Sequence, residues 1–173
     1  MFSQDDLKRI MPAATMANIA KFHEPLVAAC HEFEITDVLR LAAFLAQVGH
    51  ESGQLRYVRE LASGDAYEGR RDLGNTEPGD GRRFKGRGLI QITGRHNYGL
   101  LGDALGLPLL EEPELLEEPE AACRSAGWFW KSKGLNEQAD RGAFKEITRR
   151  INGGFNGFSD RVAHYNRALE VFG

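Results

Sequence analysis

The stretch "ITDVLRLAAFLAQVGHESG", residues 35–53, constrains this chain more than any other. Val38, Leu41, Ala42, Leu45 and Val48 recur at the three-and-four spacing of one helical face, behind Thr36 or Asp37 as the cap. Such a helix has to be buried, so the rest of the chain must fold around it. Its end is chemically unusual. Glu51 comes about one turn after Val48, and Ser52-Gly53 then weakens the helix. A carboxyl group at that boundary is half buried, and partial burial disfavours its charged form, as a general acid working near neutral pH requires. Two familiar motifs are narrowly missed. G-x-S-x-G would need a serine where Glu51 stands, and H-E-x-x-H a histidine where Gln54 stands.

At 173 residues, with 42% hydrophobic and 27% charged, the chain suits one catalytic domain over residues 1–173, acting as a monomer. Further helices are predicted over 16–33, with a disturbance at Pro25, and over 96–105, 119–132, 140–151 and 159–171. Only "GLIQIT", 88–93, reads as a strand, so the fold class is mainly α with at most a small β-hairpin. Between 63 and 88, glycines at 64, 69, 74, 79, 81, 86 and 88 mark a long loop, and compact domains seldom keep such loops idle.

Cys30 and Cys123 lack C-x-x-C spacing, which predicts buried free thiols and no structural metal. The opening residues lack a signal-peptide pattern and no run approaches about 18 apolar residues. The expectation is cytoplasmic accumulation without stable membrane insertion. Residues 111–120 hold six glutamates, whereas 56–95 carry nine Arg/Lys against six Asp/Glu. Solvated faces account for both runs. The basic stretch lacks the interleaved aromatics and large excess of a nucleic-acid binder, so no nucleic-acid partner is expected.

Glu60 lies nine positions after Glu51, which on one unbroken helix would set the two on opposite faces. The Ser52-Gly53 break lets the chain turn and bring Glu60 back across a cleft. Paired carboxylates flanking a bond are the apparatus of glycoside hydrolysis, with Glu68 as the rival second acid. In "FKGRGLIQITGRHNYG", 84–99, Gly86 and Gly88 allow close backbone approach, and Gln91, Thr93 and Asn97 offer groups suited to sugar hydroxyls. The stretch fails as a phosphate loop because no G-K-[ST] follows. Trp128 and Trp130 read as packing residues before sugar platforms, and His23, His31 and His164 share no ligand spacing.

"AAFLAQVGHES", "GRGLIQITGRHNYG", "WFW" at 128–130, "INGG" at 151–154 and "DRVAHYNRAL" at 160–169, taken in order, resemble glycoside hydrolase family 19, in particular its short phage and prophage endolysins. The resemblance implies a two-lobed, lysozyme-like helical domain with a central cleft. It implies Glu51 as general acid beside His50, Glu60 as general base and Thr93 as holder of the attacking water. It also implies Gln91, Asn97 and Asn152 along the sugar sites, with Arg161 contacting the catalytic carboxylates. The expected activity is inverting hydrolysis of the β-1,4 bonds of bacterial peptidoglycan, without cofactor or metal, after the membrane is permeabilised. The alternatives are a bacterial chitinase acting on chitin oligomers and a non-catalytic cell-wall glycan-binding module. The sequence departs from the plant enzymes of the family in the much shorter gap between Glu51 and Glu60 and in lacking their disulfides, and from many chitinases at His96, where they have tyrosine.

Overall fold

The computed structural model describes residues 1–173. Nine α-helices follow one another: α1 (Gln4–Ile10), α2 (Met16–Glu32), α3 (Val38–Glu51), α4 (Asp80–Arg83), α5 (Arg95–Leu105), α6 (Pro119–Ser132), α7 (Leu135–Asp140), α8 (Phe144–Asn152) and α9 (Phe158–Phe172). Single 3₁₀ turns occupy Asp65–Tyr67, Arg71–Leu73 and Pro113–Glu117. The fold is mainly helical, and its only strand-like pairing is two isolated bridges, Arg59 with Arg87 and Arg87 with Ile92.

Helix α3 is the axis. Asp37 caps it, its carboxylate accepting from Arg40 N at 3.0 Å, and every residue from Leu41 to Gly49 is buried. A helix buried on all sides belongs in the centre of a fold. Ala42, Ala43, Ala46 and Gly49 make that possible, because small side chains let neighbours approach closely. Helix α9 packs along it most extensively, and a Cβ at Gly49 would already touch His164 at 3.5 Å. Val38, expected on the core face, is exposed, since the cap lies at the surface. The remaining core joins Phe2 in the first segment to Ala168 in α9 as one cluster. Trp130 is fully buried in it, edge-on to Phe44 with ring centroids 5.4 Å apart, and its indole N–H donates to Asn136 Oδ1 at 2.8 Å.

Several expectations need correction. The predicted strand at 88–93 is a turn: Arg87 N donates to Ile92 O at 3.1 Å, Ile92 N donates back at 2.8 Å, and Gly88 takes φ 95°. Leu89 and Ile90 are both buried, so the apolar run fills the core from a reversing backbone. The helix expected over 140–151 starts later, as α8 at Phe144, because Gly142 adopts a left-handed φ of 65° just before it, and the short α7 over Leu135–Asp140 has no counterpart among the expected helices. Helix α1 was not foreseen, although Ser3 and Asp6 form a capping box at its start. Pro25 sits inside an unbroken α2.

The acidic run is more than a solvated face. Glu117 accepts from Arg87 Nε at 3.0 Å, and Arg87 is only 5% exposed, so this glutamate compensates a buried guanidinium. Both cysteines are buried free thiols, and burial pushes the Cys30 thiol up to about 12.

Helices α2 and α6 meet where Gly127 faces Phe33, and a Cβ there would lie 2.3 Å from the Phe33 ring. Alanine favours a helix by about 1 kcal/mol over glycine, whereas overpacking costs about 1–3 kcal/mol. Gly127→Ala should therefore lower the urea midpoint despite its better helix propensity; an unchanged or raised midpoint would show that the interface yields freely.

Candidate active site

Glu51 ends α3 and meets Arg161 from the first turn of α9. Arg161 is 1% exposed. Its Nη1 lies 2.7 Å from Glu51 Oε1 and donates to Gln47 Oε1 at 2.6 Å, while its Nε donates to Asn156 O at 3.1 Å. Gln47, one turn before Glu51, is held in turn by donating to Thr148 Oγ1 at 2.9 Å. The buried cation thus has three acceptors, two from α3 and one from the loop before α9, and Glu51 is the only acidic one. Its carboxylate keeps a partly exposed edge.

Directly after Glu51 the backbone turns sharply. Ser52 is buried, its hydroxyl donating to Val48 O at 2.6 Å and accepting from Leu55 N at 2.8 Å. Gly53, Gln54 and Leu55 then take φ of 58°, 58° and 67° in succession. Two non-glycine residues in the left-handed region cost of order 1 kcal/mol each, and the Ser52 bonds together with Gln54 Oε1 accepting from Ala13 N at 2.8 Å hold them there. This is the helix break that the sequence marks at Ser52-Gly53.

His50 faces the other way around the helix end. Its Nδ1 lies 2.7 Å from Asp160 Oδ2, and its ring occupies the space above Gly157, where a Cβ would come within 2.1 Å of it. The neighbours His50-Glu51 therefore meet the neighbours Asp160-Arg161 in register. Burial opposes ionisation of Asp160, but the His50 hydrogen bond and nearby positive groups bring its carboxyl below the usual range. Behind it lies His164, fully buried, with Nε2 3.5 Å from Asp160 Oδ2 and Nδ1 beside Ile10 O and Arg167.

Glu60 follows the turn on an extended segment, its N–H donating to Gly86 O at 2.9 Å. Its Oε2 accepts from Tyr67 Oη at 2.9 Å, while Oε1 is buried without a hydrogen-bond partner in the protein. Gly86 is the space that the two site residues share: a Cβ there would lie 2.7 Å from Gln91 Oε1 and 3.0 Å from Glu60 Oε2. Gln91, Thr93 and Asn97 line one concavity of about 420 Å³, joined by Trp128, Ser132 and Lys133 from α6. Asn97 Nδ2 donates to Thr93 O at 2.9 Å, bracing the segment. Glu68 is placed differently. Its two oxygens accept from Gly79 N at 2.7 Å and Gly81 N at 2.8 Å, which uses them to close the glycine-rich loop.

Residues 27–145 match the glycoside hydrolase family 19 profile described as chitinase class I. The chain belongs to glycoside hydrolase family 19. It is 30% identical over 202 residues to a glycosyl hydrolase family 19 domain-containing protein of Haemophilus influenzae, covering 99% of this chain and 96% of that one. It is 42% identical over 132 residues to an endochitinase of Arabidopsis thaliana, covering 72% of this chain but only 45% of the plant protein. Among solved structures it superposes on a bacterial family 19 chitinase with a TM-score of 0.81 at 26% identity, covering 99% of this chain and 94% of that one. Chitinase C of Streptomyces griseus gives 0.80 at 26% identity, covering 98% and 76%.

The structure brings Arg161 to Glu51, and Gln91, Thr93 and Asn97 to one wall, while Asn152 stands at the end of α8 without a hydrogen bond to either carboxylate. Sequence reading passed over Gln47, Tyr67 and Asp160. For Asp160 a signal existed, since it sits one residue before Arg161 as His50 does before Glu51. Trp128 and Trp130 both read as packing residues, yet two residues apart on a helix they point to different sides. Trp130 enters the core and Trp128 the concavity.

His164 supplies a test of the region behind the site. Burial first, then the positive charge of Arg167, lowers its imidazole pKa from 6.5, against opposing contributions from Ile10 O and Asp160. The unfolded chain then binds the proton more readily than the folded one. The stability due to neutral His164 is fully present above pH 6.5 and is lost as pH falls through the folded value. Urea unfolding from about pH 7 to about pH 5 should show falling stability, and His164→Asn should flatten that slope. An equal slope in the variant would assign the loss to other groups.

Proposed function

We propose that this family 19 domain hydrolyses β-1,4 bonds in polymers of N-acetylated amino sugars by single displacement, with chitin-type chains as the first substrate. The observation that carries this reading is the unequal treatment of two carboxyl groups. Glu51 is set against a buried arginine at a helix end, and Glu60 has one oxygen held and the other without a partner. Glu51 protonates the leaving glycosidic oxygen. Glu60 takes a proton from a water that attacks the anomeric carbon from the opposite face, with the Thr93 hydroxyl aligning that water. Gln91, Asn97 and Asn152 bind the sugars on either side, His50 holds the end of α3 that carries Glu51 through Asp160, and Trp128 adds an apolar surface to the wall. The chemistry requires no group beyond these side chains. The names of the relatives support the substrate class, since those from plants and the solved bacterial neighbours are chitinases.

Bacterial peptidoglycan is the second reading, favoured by one feature. Arg71 lines a depression of about 370 Å³ with Gly69, Asn75 and Thr76, none of them hydrophobic residues, on the loop that follows Glu60. Chitin is uncharged, whereas peptidoglycan strands carry lactyl and peptide carboxylates that an exposed guanidinium would attract.

Parallel digestion of N-acetylchitohexaose and purified peptidoglycan, with mass spectrometry of the reducing ends, separates the two substrates. Proton NMR of the first products should show the α-anomer from a β-linkage, and a β-anomer would exclude single displacement. Glu51→Gln keeps an acceptor for Arg161 but no proton to give, and Glu60→Gln keeps shape but no basicity. Each should cost ~10²–10⁴-fold in rate with folding retained.

Thr93→Ser should keep most activity and Thr93→Val should lose most of it while still binding oligosaccharide. An active valine variant would remove the hydroxyl from the mechanism.

A further inference from the structure

The loop between Glu60 and Gly86 is tied down far more tightly than a connection requires. Gly64 and Gly81 face each other so closely that a Cβ on Gly64 would lie 2.4 Å from Gly81 O, and one on Gly81 would lie 2.6 Å from Glu68 N. The Glu68 carboxylate clasps Gly79 N and Gly81 N. Buried Asn75 donates through Nδ2 to Tyr67 O at 2.9 Å and accepts through Oδ1 from Arg95 N at 2.8 Å. Arg95 forks onto buried Asp80 at 2.7 and 2.8 Å, and Arg82 onto Asp65 at 2.5 and 3.1 Å. These ties surround the single 3₁₀ turn Asp65–Tyr67. The one side-chain hydrogen bond that Tyr67 makes is the donation of its hydroxyl to Glu60 Oε2.

We infer that Tyr67 is a positioning residue for the reaction, acting through Glu60, and that the glycine-rich loop is the clip that holds it there. The inference rests on the reading of Glu60 as general base. A carboxylate turns freely about its last bond, so an unheld base presents either oxygen in many orientations. With Oε2 held by the Tyr67 hydroxyl and Oε1 buried, the carboxylate plane keeps one orientation. In the displacement, the water's proton passes to the Glu60 carboxylate as the water oxygen bonds to the anomeric carbon. The glycosidic bond breaks toward the leaving oxygen, which takes the proton of Glu51. Solvent then restores both carboxyl groups. Tyr67 transfers no proton. Burial, followed by the hydrogen bond to Glu60, raises its phenol pKa above 10.0, so it remains a donor throughout the working range. Donation to the ionised form of a carboxyl group favours that form over the neutral one, so a pH–rate profile reads the loss of the donor.

The test is Tyr67→Phe, which keeps the ring and removes the donor. Hydrogen bonds to charged groups contribute about 1.5–3 kcal/mol, so kcat should fall ~10–100-fold with KM little changed. The acidic limb of the pH–rate profile should move to higher pH. In a Glu60→Gln background the same substitution should change the residual rate no further. Glu68→Gln loosens the clip but leaves the hydroxyl, so kcat should fall less than about tenfold, with the acidic limb in place. Wild-type kcat and an unmoved limb in Tyr67→Phe, beside an inactive Glu60→Gln, would overturn this inference alone. An active Glu60→Gln, or a Glu68→Gln as inactive as expected for Glu60→Gln, would overturn the base assignment and the inference with it.

Discussion

The rest of the molecule depends on keeping one guanidinium out of water. Arg161 is almost entirely buried, and a buried charge is tolerated only when its hydrogen-bonding capacity is met by close acceptors. Gln47 and Glu51 from α3 and Asn156 O from the loop before α9 meet it, so α3 and α9 can pack in only one register. The alanines and glycine along α3 follow from this, because two helices that share a buried ion pair must run close together. His50 against Gly157 and Asp160 is the same contact one residue earlier. What looks like a catalytic arrangement is also the fastening between the two most extensively packed helices.

The second carboxylate is held on a different principle. No sheet supports Glu60. It stands on a segment that makes a single bridge to Arg87, and Arg87 bridges on to Ile92. Rigidity there comes from polar ties: the Glu68 clasp, Asn75, the Asp80–Arg95 fork and Arg87 against Glu117. Single exposed ion pairs stabilise little, but Asp80 and Arg87 are buried, where such pairs fix geometry because breaking one would strand a charge. Excess charge of opposite sign in 56–95 and 111–120 is partly the sequence image of this bracing.

Glycine has two unrelated uses around the site. At Gly53 and Gly142 it permits a left-handed backbone that ends or separates helices. Gly86 and Gly127 leave room instead, for Glu60 and Gln91 at one and for Phe33 at the other. Only the first use is visible as a turn signal, which is why 63–88 reads as plain loop although most of its glycines are packing residues.

Local rules were enough for the helices whose ends carry a chemical mark. Asp37 capping α3, Pro119 opening α6 and Ser52-Gly53 closing α3 act within a turn of where they stand, so periodicity and capping located Glu51 at a buried helix end. The motif resemblance supplied Glu60, Thr93 and Arg161 as residues of one site. The sequence could not show that Gln47 shares the buried Arg161 with Glu51, that Glu68 is spent on backbone N–H groups, or that Tyr67 holds Glu60. Nor could it separate Trp128 from Trp130, or show that the apolar run after Gly88 turns back instead of extending. Each of these depends on which side chains meet across long stretches of chain, as Glu51 and Arg161 do over α3 and α9. That choice is made by burial and hydrogen-bond satisfaction in the assembled core, and no propensity within a window of ten or so residues contains it.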